Sequence, residues 1–167
     1  MSEAVVGLGS NLGEKSQNLL IAVQALSRLP GTKIRGASSI YASPPLDAPE
    51  GSTQEDYHNM AVVLDTKMSP MALLGACLGI ESSMGRTRPK RNAARMIDLD
   101  LLVYEGVKSE SYELTLPHPR ILQRAFVLLP LKELYPSGRA PGVFFEPHLK
   151  EVDVSSCVKL DQRIEIG

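Results

Sequence analysis

An α+β fold built on an antiparallel sheet is what this sequence predicts, and three observations carry it. Short runs rich in Val, Ile and Leu alternate with stretches of helical spacing. Their order along the chain is strand, helix, strand, strand, helix, strand. Gly and Pro punctuate the junctions between them.

"EAVVGLGS" is an apolar run ending in glycines and reads as a strand feeding a turn. In "KSQNLLIAVQALSRL", Leu19, Leu20, Val23, Leu26 and Leu29 recur at helical spacing, and Pro30-Gly31 stops the helix. Between them, "GLGSNLG" is neither G-x-G-x-x-G nor a Walker A sequence, and it lacks the lysine of the latter. Its reading is a tight strand-to-helix turn with Asn11 capping the helix. "TKIRGASSIY" predicts a second strand. "ASPPLDAPEGSTQED", residues 42–56, has no hydrophobic period and reads as a long loop of the kind often used for function. "YHNMAVVLDT" predicts a third strand, with Tyr57 and Asn59 on one face and Met60 on the other.

In "SPMALLGACLGIESSMG", Ser69 can cap a helix, Pro70 fits its first position and Gly85 can end it. "RTRPKRNAAR" is a basic loop, and "MIDLDLLVYEG" is the fourth strand. "TLPHPRILQRAFVLLPLKEL" starts irregular and runs into a helix that Pro130 ends or kinks. Beyond Tyr135 the signal weakens, with "RIEIG" as a last short strand. The order is the ferredoxin-like β-α-β-β-α-β pattern, with helices on one face of the sheet and a C-terminal extension. Residues 1–167 read as a single domain.

The bulk properties narrow the function. The chain has 167 residues, is 43% hydrophobic and carries a formal net charge of −1. That balance gives no global field toward nucleic acid or an anionic membrane, so anion binding must come from local clusters. Two distant cysteines, Cys77 and Cys157, fit free thiols, with no disulfide expected. No run reaches membrane-spanning length, and no basic leader precedes an apolar core. The expectation is a cytoplasmic protein acting on small molecules, without a nucleic-acid or membrane partner.

Asp98 and Asp100 interrupt the fourth strand. Residues i and i+2 share a strand face, so the two carboxylates lie together, about 7 Å apart, while Leu99, Leu101 and Val103 fill the other face. Neighbouring carboxylates repel unless a cation lies between them. Mg²⁺ suits such a pair together with substrate phosphates. The plainer alternative is a solvent-facing strand with salt-bridged acids. The preceding loop adds Arg86, Arg88, Lys90, Arg91 and Arg95, five cations within residues 86–95. Arginine forks beside metal-binding acids form a site for a polyphosphate. "LPHPR" and the residues after it contribute His118, Arg120 and Arg124. Tyr57 and Asn59 pair an aromatic plate with an amide able to read a flat heterocycle.

Six segments in order, "GLGSNLG", "SSIYASPPL", "DYHNMAVVLDT", "LLGACLGIESSMGRTR", "RMIDLDLLVYEG" and "LTLPHPRILQRAFVLLPL", resemble the 6-hydroxymethyl-7,8-dihydropterin pyrophosphokinase family of the folate pathway. The resemblance runs from about residue 4 to residue 134. It implies transfer of a pyrophosphoryl group from ATP to the pterin's hydroxymethyl oxygen, with release of AMP. It implies two Mg²⁺ ions on Asp98 and Asp100, with Arg86 and Arg95 neutralising charge on the transferred group. It further implies that Glu81, Arg88, Arg91, Thr115, His118 and Arg124 serve the nucleotide. By the same resemblance, Tyr57 and Phe126 would sandwich the pterin, with Asn59, Ser43, Pro44 and Leu46 at its edges. Four positions depart from the family's usual pattern. Asn92 stands where a tryptophan is common, Ala94 where proline is, Met96 where threonine is, and Leu78 where a polar nucleotide contact is possible. Read from the residues alone, two alternatives stay open: another Mg²⁺-dependent phosphoryl or nucleotidyl transferase, or a non-catalytic nucleotide- or pterin-binding module.

Overall fold

The computed structural model describes residues 1–45, 53–85 and 94–166. The N-terminal strand β1 (Ser2–Ser10) is followed by helix α1 (Lys15–Ser27). Strands β2 (Thr32–Ala37), β3 (Ser39–Ser43) and β4 (Tyr57–Thr66) come next, then α2 (Pro70–Ser83) and β5 (Asp98–Tyr104). A two-strand hairpin, β6 (Ser109–Glu110) and β7 (Thr115–Leu116), leads through a 3-10 turn (Ile121–Gln123) into α3 (Ala125–Leu134). A second hairpin, β8 (Arg139–Ala140) and β9 (Val143–Phe144), precedes the short α4 (Glu146–Leu149) and the last strand, β10 (Val158–Arg163).

The main sheet runs β10-β3-β4-β1-β5, with β2 also on β4, and every pairing in it is antiparallel. The predicted second strand is therefore two. It breaks at Ser38, whose Oγ accepts from Ala61 N at 3.0 Å while Ser38 N donates to Ala61 O at 2.9 Å. The last strand also differs from expectation. It lies at Val158–Arg163 and ends where "RIEIG" begins. Pro130 sits inside α3, which continues to Leu134.

The sheet has a core on each face. On one, Ala4, Val6 and Leu8 of β1 pack with Leu19, Ala22, Val23 and Leu26 of α1 and Leu73, Cys77 and Ile80 of α2. On the other, Val5, Ala61 and Val63 meet Leu128 and Leu131 of α3, Ile121 and Phe145. α1 and α2 thus cover one face, and α3 takes part of the other. The caps follow the sequence: Ser69 Oγ accepts from Ala72 N at 3.2 Å, and Gly85 ends the helix region at a φ of 88°.

One predicted face is corrected. Val6 faces Leu101 across the sheet but Val5 faces Val103, so Leu102 is an extra residue in β5. This β-bulge turns the strand over. Leu99 and Leu101 pack on the α1/α2 side as expected, whereas Leu102 and Val103 both pack on the α3 side. Cys77 is buried, Cys157 is partly exposed, and both are free thiols. Among the described residues, no helix is long and apolar enough to cross a membrane.

Leu19 is fully buried, whereas Leu12 is 44% exposed. Leu19→Ala is expected to cost about 2–5 kcal/mol through lost burial and a residual cavity, and Leu12→Ala less than about 0.5 kcal/mol. Urea unfolding of the two variants measures this; equal costs would contradict the assigned core.

Candidate active site

On the α3 side, the part of the sheet that the helix leaves uncovered forms a cleft of about 530 Å³. Its floor is the central strand. Gly9 lies opposite Asp98 on one side and Asn59 on the other; Gly7 lies opposite Asp100 and Ala61. Each aspartate thus faces a glycine across the ladder. A Cβ at Gly9 would come within 3.2 Å of Asn59 Oδ1 and 3.4 Å of the Tyr57 ring. A Cβ at Gly7 would come within 3.3 Å of Leu102 Cδ1, so both glycines let neighbouring side chains lie close over the central strand. The sequence reading placed them in a turn; their two-residue spacing inside a strand was the available signal.

Every predicted site residue that is described lines this cleft: Ser43, Pro44, Tyr57, Asn59, Glu81, Arg95, Asp98, Asp100, Thr115, His118, Arg124 and Phe126. Leu46, Arg86, Arg88, Arg91 and Asn92 lie outside the described residues. Leu74, Leu78, Glu113, Leu114 and Arg120 also line the cleft.

Arg95 is held at both ends. Its Nη1 donates to Asp98 Oδ1 at 3.0 Å. Its backbone N donates to Asn11 Oδ1 at 2.8 Å, and its carbonyl accepts from Asn11 N at 3.1 Å. Contrary to the expectation from the sequence, Asn11 does not cap α1; the helix starts at Lys15 after Glu14, with no side-chain cap. The amide is committed instead to Arg95, and its Nδ2 donates to Gln54 Oε1 at 3.1 Å. One buried side chain thereby joins the end of β1 to the segments leading into β4 and β5. The turn that follows is held by Asn18, whose Nδ2 donates to Leu12 O at 2.8 Å and Ser10 Oγ at 3.2 Å. Met96 packs its sulfur near Gly13, at 3.4 Å from where a Cβ would stand.

Glu81 is buried, and its Oε2 accepts from Leu99 N at 2.8 Å, which fixes α2 to the outer edge of β5. Burial first, and then the charges of Asp98 and Glu81, push the Asp100 carboxyl up to about 7; Arg124 and Arg95 pull the other way. Above the strand, His118 N donates to Leu102 O at 2.7 Å. His118 Nδ1 accepts from Arg120 N at 3.2 Å, which leaves Nε2 to carry the proton of the neutral ring. Burial, with Arg124 and Arg120 nearby, lowers its pKa and favours that neutral form. Burial, followed by Arg120, also lowers the pKa of Arg124. The Arg124 guanidinium carbon stands 5.5 Å from the centre of the Phe126 ring.

Asn59 Nδ2 is spent on β3: it donates to Ser43 Oγ at 2.7 Å and to Tyr41 O at 3.3 Å. The cleft thus gathers an aromatic and amide group, an acid pair, and a group of cations with a neutral imidazole. Among the described residues, no group of three or more His, Cys, Asp or Glu side chains gathers to hold a metal ion. Two carboxylates on one face, one of them at a cost while ionised, are a donor set for a hard cation that completes its shell with water and substrate oxygens.

Residues 5–136 match the 7,8-dihydro-6-hydroxymethylpterin-pyrophosphokinase (HPPK) family. A relative from Methylorubrum extorquens, named 2-amino-4-hydroxy-6-hydroxymethyldihydropteridine pyrophosphokinase, is 39% identical over 96% of this chain and 100% of its own. A protein of the same name from Synechocystis is 36% identical over 98% of this chain and 83% of its own. One from Pseudomonas aeruginosa is 38% identical over 86% and 87%. Among solved structures, an HPPK-DHPS in complex with substrates superimposes with a TM-score of 0.66 at 15% identity, over 90% of this chain and 43% of that one. That likeness concerns the fold, and this chain spans less than half of the larger protein. By the extent of its family match and the identity of its relatives, the chain belongs to the 7,8-dihydro-6-hydroxymethylpterin pyrophosphokinase family.

Proposed function

We propose that the chain transfers a pyrophosphoryl group from ATP to 6-hydroxymethyl-7,8-dihydropterin, giving the pterin diphosphate and AMP in folate biosynthesis. The observation that carries this reading is the row Asp98–Gly9–Asn59 across three strands. Two strand spacings separate the acid from the amide by about 10 Å. With glycine between them, Tyr57 and Asn59 lie close over the central strand, and a flat ring stacked on Tyr57 would have its reactive arm toward the aspartates.

Asp98 and Asp100 are the residues that would hold two Mg²⁺ ions. When bound, the ions neutralise the triphosphate and help ionise the acceptor hydroxyl. The protein's own part is positioning and charge, because phosphoryl-type transfer leaves it little covalent work. Arg95, fixed by Asp98 and Asn11, presents a charge that needs no reorganisation as negative charge develops on the transferred group. His118 donates from Nε2 without adding charge, and it would grip the nucleotide with Thr115 and Arg124. Tyr57 and Phe126 would hold the two faces of the pterin. With Nδ2 committed to β3, Asn59 offers Oδ1 to the ring's N–H groups, beside Ser43 and Pro44. By family resemblance, Arg86 joins Arg95 at the transferred group, Arg88 and Arg91 join the nucleotide contacts, and Leu46 joins the pterin edge. Glu81 keeps β5 in place at the nucleotide end.

The same reading takes the core as ferredoxin-like, β1-α1-β2/β3-β4-α2-β5, with the segment after α3 as a C-terminal extension. It treats residues 1–167 as one pterin pyrophosphokinase domain working in the cytoplasm, without nucleic acid.

Incubation with ATP, Mg²⁺ and the hydroxymethyl dihydropterin is expected to yield AMP, read by chromatography. Release of ADP or of pyrophosphate would instead mean a different transferase, and tight ligand binding with no ATP consumed a binding module. Asp98→Asn and Asp100→Asn are expected to lower turnover by at least about a hundredfold, as loss of several kcal/mol of charge stabilisation requires. A pH effect follows from Asp100. An acid whose pKa is raised on folding binds a proton as the chain folds. Its contribution to metal-free stability is therefore greatest at low pH and is lost as pH rises from the ordinary carboxylate range to about 7. In chelator, urea midpoints of the wild type should fall more steeply between pH 5 and pH 8 than those of Asp100→Asn. Parallel slopes would remove the raised carboxyl.

A further inference from the structure

The residues after 136 lie beyond the stretch that matches the family, yet they reach the pterin end of the cleft through one partly buried carboxylate. Glu133, near the end of α3, has a side chain only 18% exposed. Its Oε2 accepts from Ser39 N at 2.6 Å and from Arg163 Nη2 at 2.9 Å. Its Oε1 accepts from the Tyr41 hydroxyl at 3.0 Å and lies 3.5 Å from Lys159 Nζ. A single carboxylate thus takes donors from β3 and from β10. Burial opposes its charge, but the hydrogen bonds from Ser39, Tyr41 and Arg163 outweigh it and hold the Glu133 pKa below the usual range. β10 itself is laddered to β3, with Val158 opposite Ala42, Lys159 opposite Tyr41 and Arg163 opposite Ser39. Gln162 Oε1 accepts from Ser16 Oγ at 2.8 Å, which ties the same strand to α1.

What Glu133 holds is the wall of the pterin end. The carbonyl of Tyr41 and the hydroxyl of Ser43 orient the Asn59 amide. Phe126 lies seven residues before Glu133 on α3, two turns away on the same side of the helix. The carboxylate therefore spans the helix that carries the aromatic and the strand that aims the amide.

Resting on the function proposed above, we propose that Glu133, braced by Arg163 and Lys159 of the C-terminal strand, is a positioning residue that sets the spacing of Phe126, Ser43 and Asn59 around the pterin. It touches neither substrate. Its loss is felt in how well the pterin is held and leaves the nucleotide and the chemical step alone.

Steady-state kinetics with each substrate varied at saturation of the other tests this. Loss of one charge-assisted set of hydrogen bonds in Glu133→Gln is expected to raise KM for the pterin about tenfold, with KM for ATP and kcat within about twofold. Arg163→Ala changes an exposed residue and cannot unfold the core; it should raise the pterin KM in the same direction by a smaller factor, and Arg163→Lys should restore it. An unchanged pterin KM in Glu133→Gln overturns the proposal. So does a parallel change in both KM values and kcat that tracks a lowered melting temperature. If the wild type releases no AMP, the parent reading fails first, and the fluorescence of bound 6-hydroxymethyl-7,8-dihydropterin decides this one separately. Weaker binding by Glu133→Gln than by wild type supports it, and equal binding by the two, or no binding by the wild type, overturns it.

Discussion

Two carboxylates two residues apart on one face of a strand are costly to keep ionised away from bulk water, and much of the cleft is arranged around that cost. The glycines opposite them, Gly7 and Gly9, bring no side chain to the row, so Leu102, Asn59 and Tyr57 can lie close over the central strand. Behind the strand, Glu81 adds negative charge while it secures Leu99 N. Among the described residues, Arg95 reaches Asp98, while burial and its acidic neighbours push the Asp100 carboxyl up to about 7 against the pull of Arg124 and Arg95. On the function proposed above, a cation arriving with the substrate would relieve the cost that burial places on the ionised Asp100.

Rigidity around the acids comes from amides and edges. Asn11 commits its side chain to Arg95 and to the segment before β4. Asn59 commits its Nδ2 to β3. In both cases a buried amide is satisfied on one side by backbone or hydroxyl partners, and its direction is fixed as a result. The bulge at Leu102 turns the end of β5 so that Leu102 and Val103 pack under α3. His118 then attaches to the bulged residue's carbonyl, which places the imidazole beside the acid pair.

Much of this was legible in the sequence because it follows from periodicity. The i, i+2 rule put Asp98 with Asp100 and Tyr57 with Asn59, and the caps at Ser69 and Gly85 follow from local chemistry. What was not legible depends on contacts distant in sequence. A bulge is a relation between two strands, so Val103 was assigned to the wrong face. Asn11 sits where a helix cap would, but a carbonyl and an amide 84 residues away outcompete the local role. The break at Ser38 and the strand at Val158–Arg163 depend on partners in β4 and β3, and neither leaves a periodic signature. The identity of the acceptor came from resemblance, since the acid pair and cations alone imply a metal and a polyphosphate.

The central claim is that Asp98 and Asp100 together bind the metal that the substrate phosphates complete. Binding of Mn²⁺ in place of Mg²⁺, followed by electron paramagnetic resonance with a non-hydrolysable ATP analogue present, measures it directly. The wild type should remove free Mn²⁺ from solution, and Asp98→Asn and Asp100→Asn should each lose most of that uptake while keeping the wild-type circular dichroism. Undiminished uptake by both folded variants would contradict it.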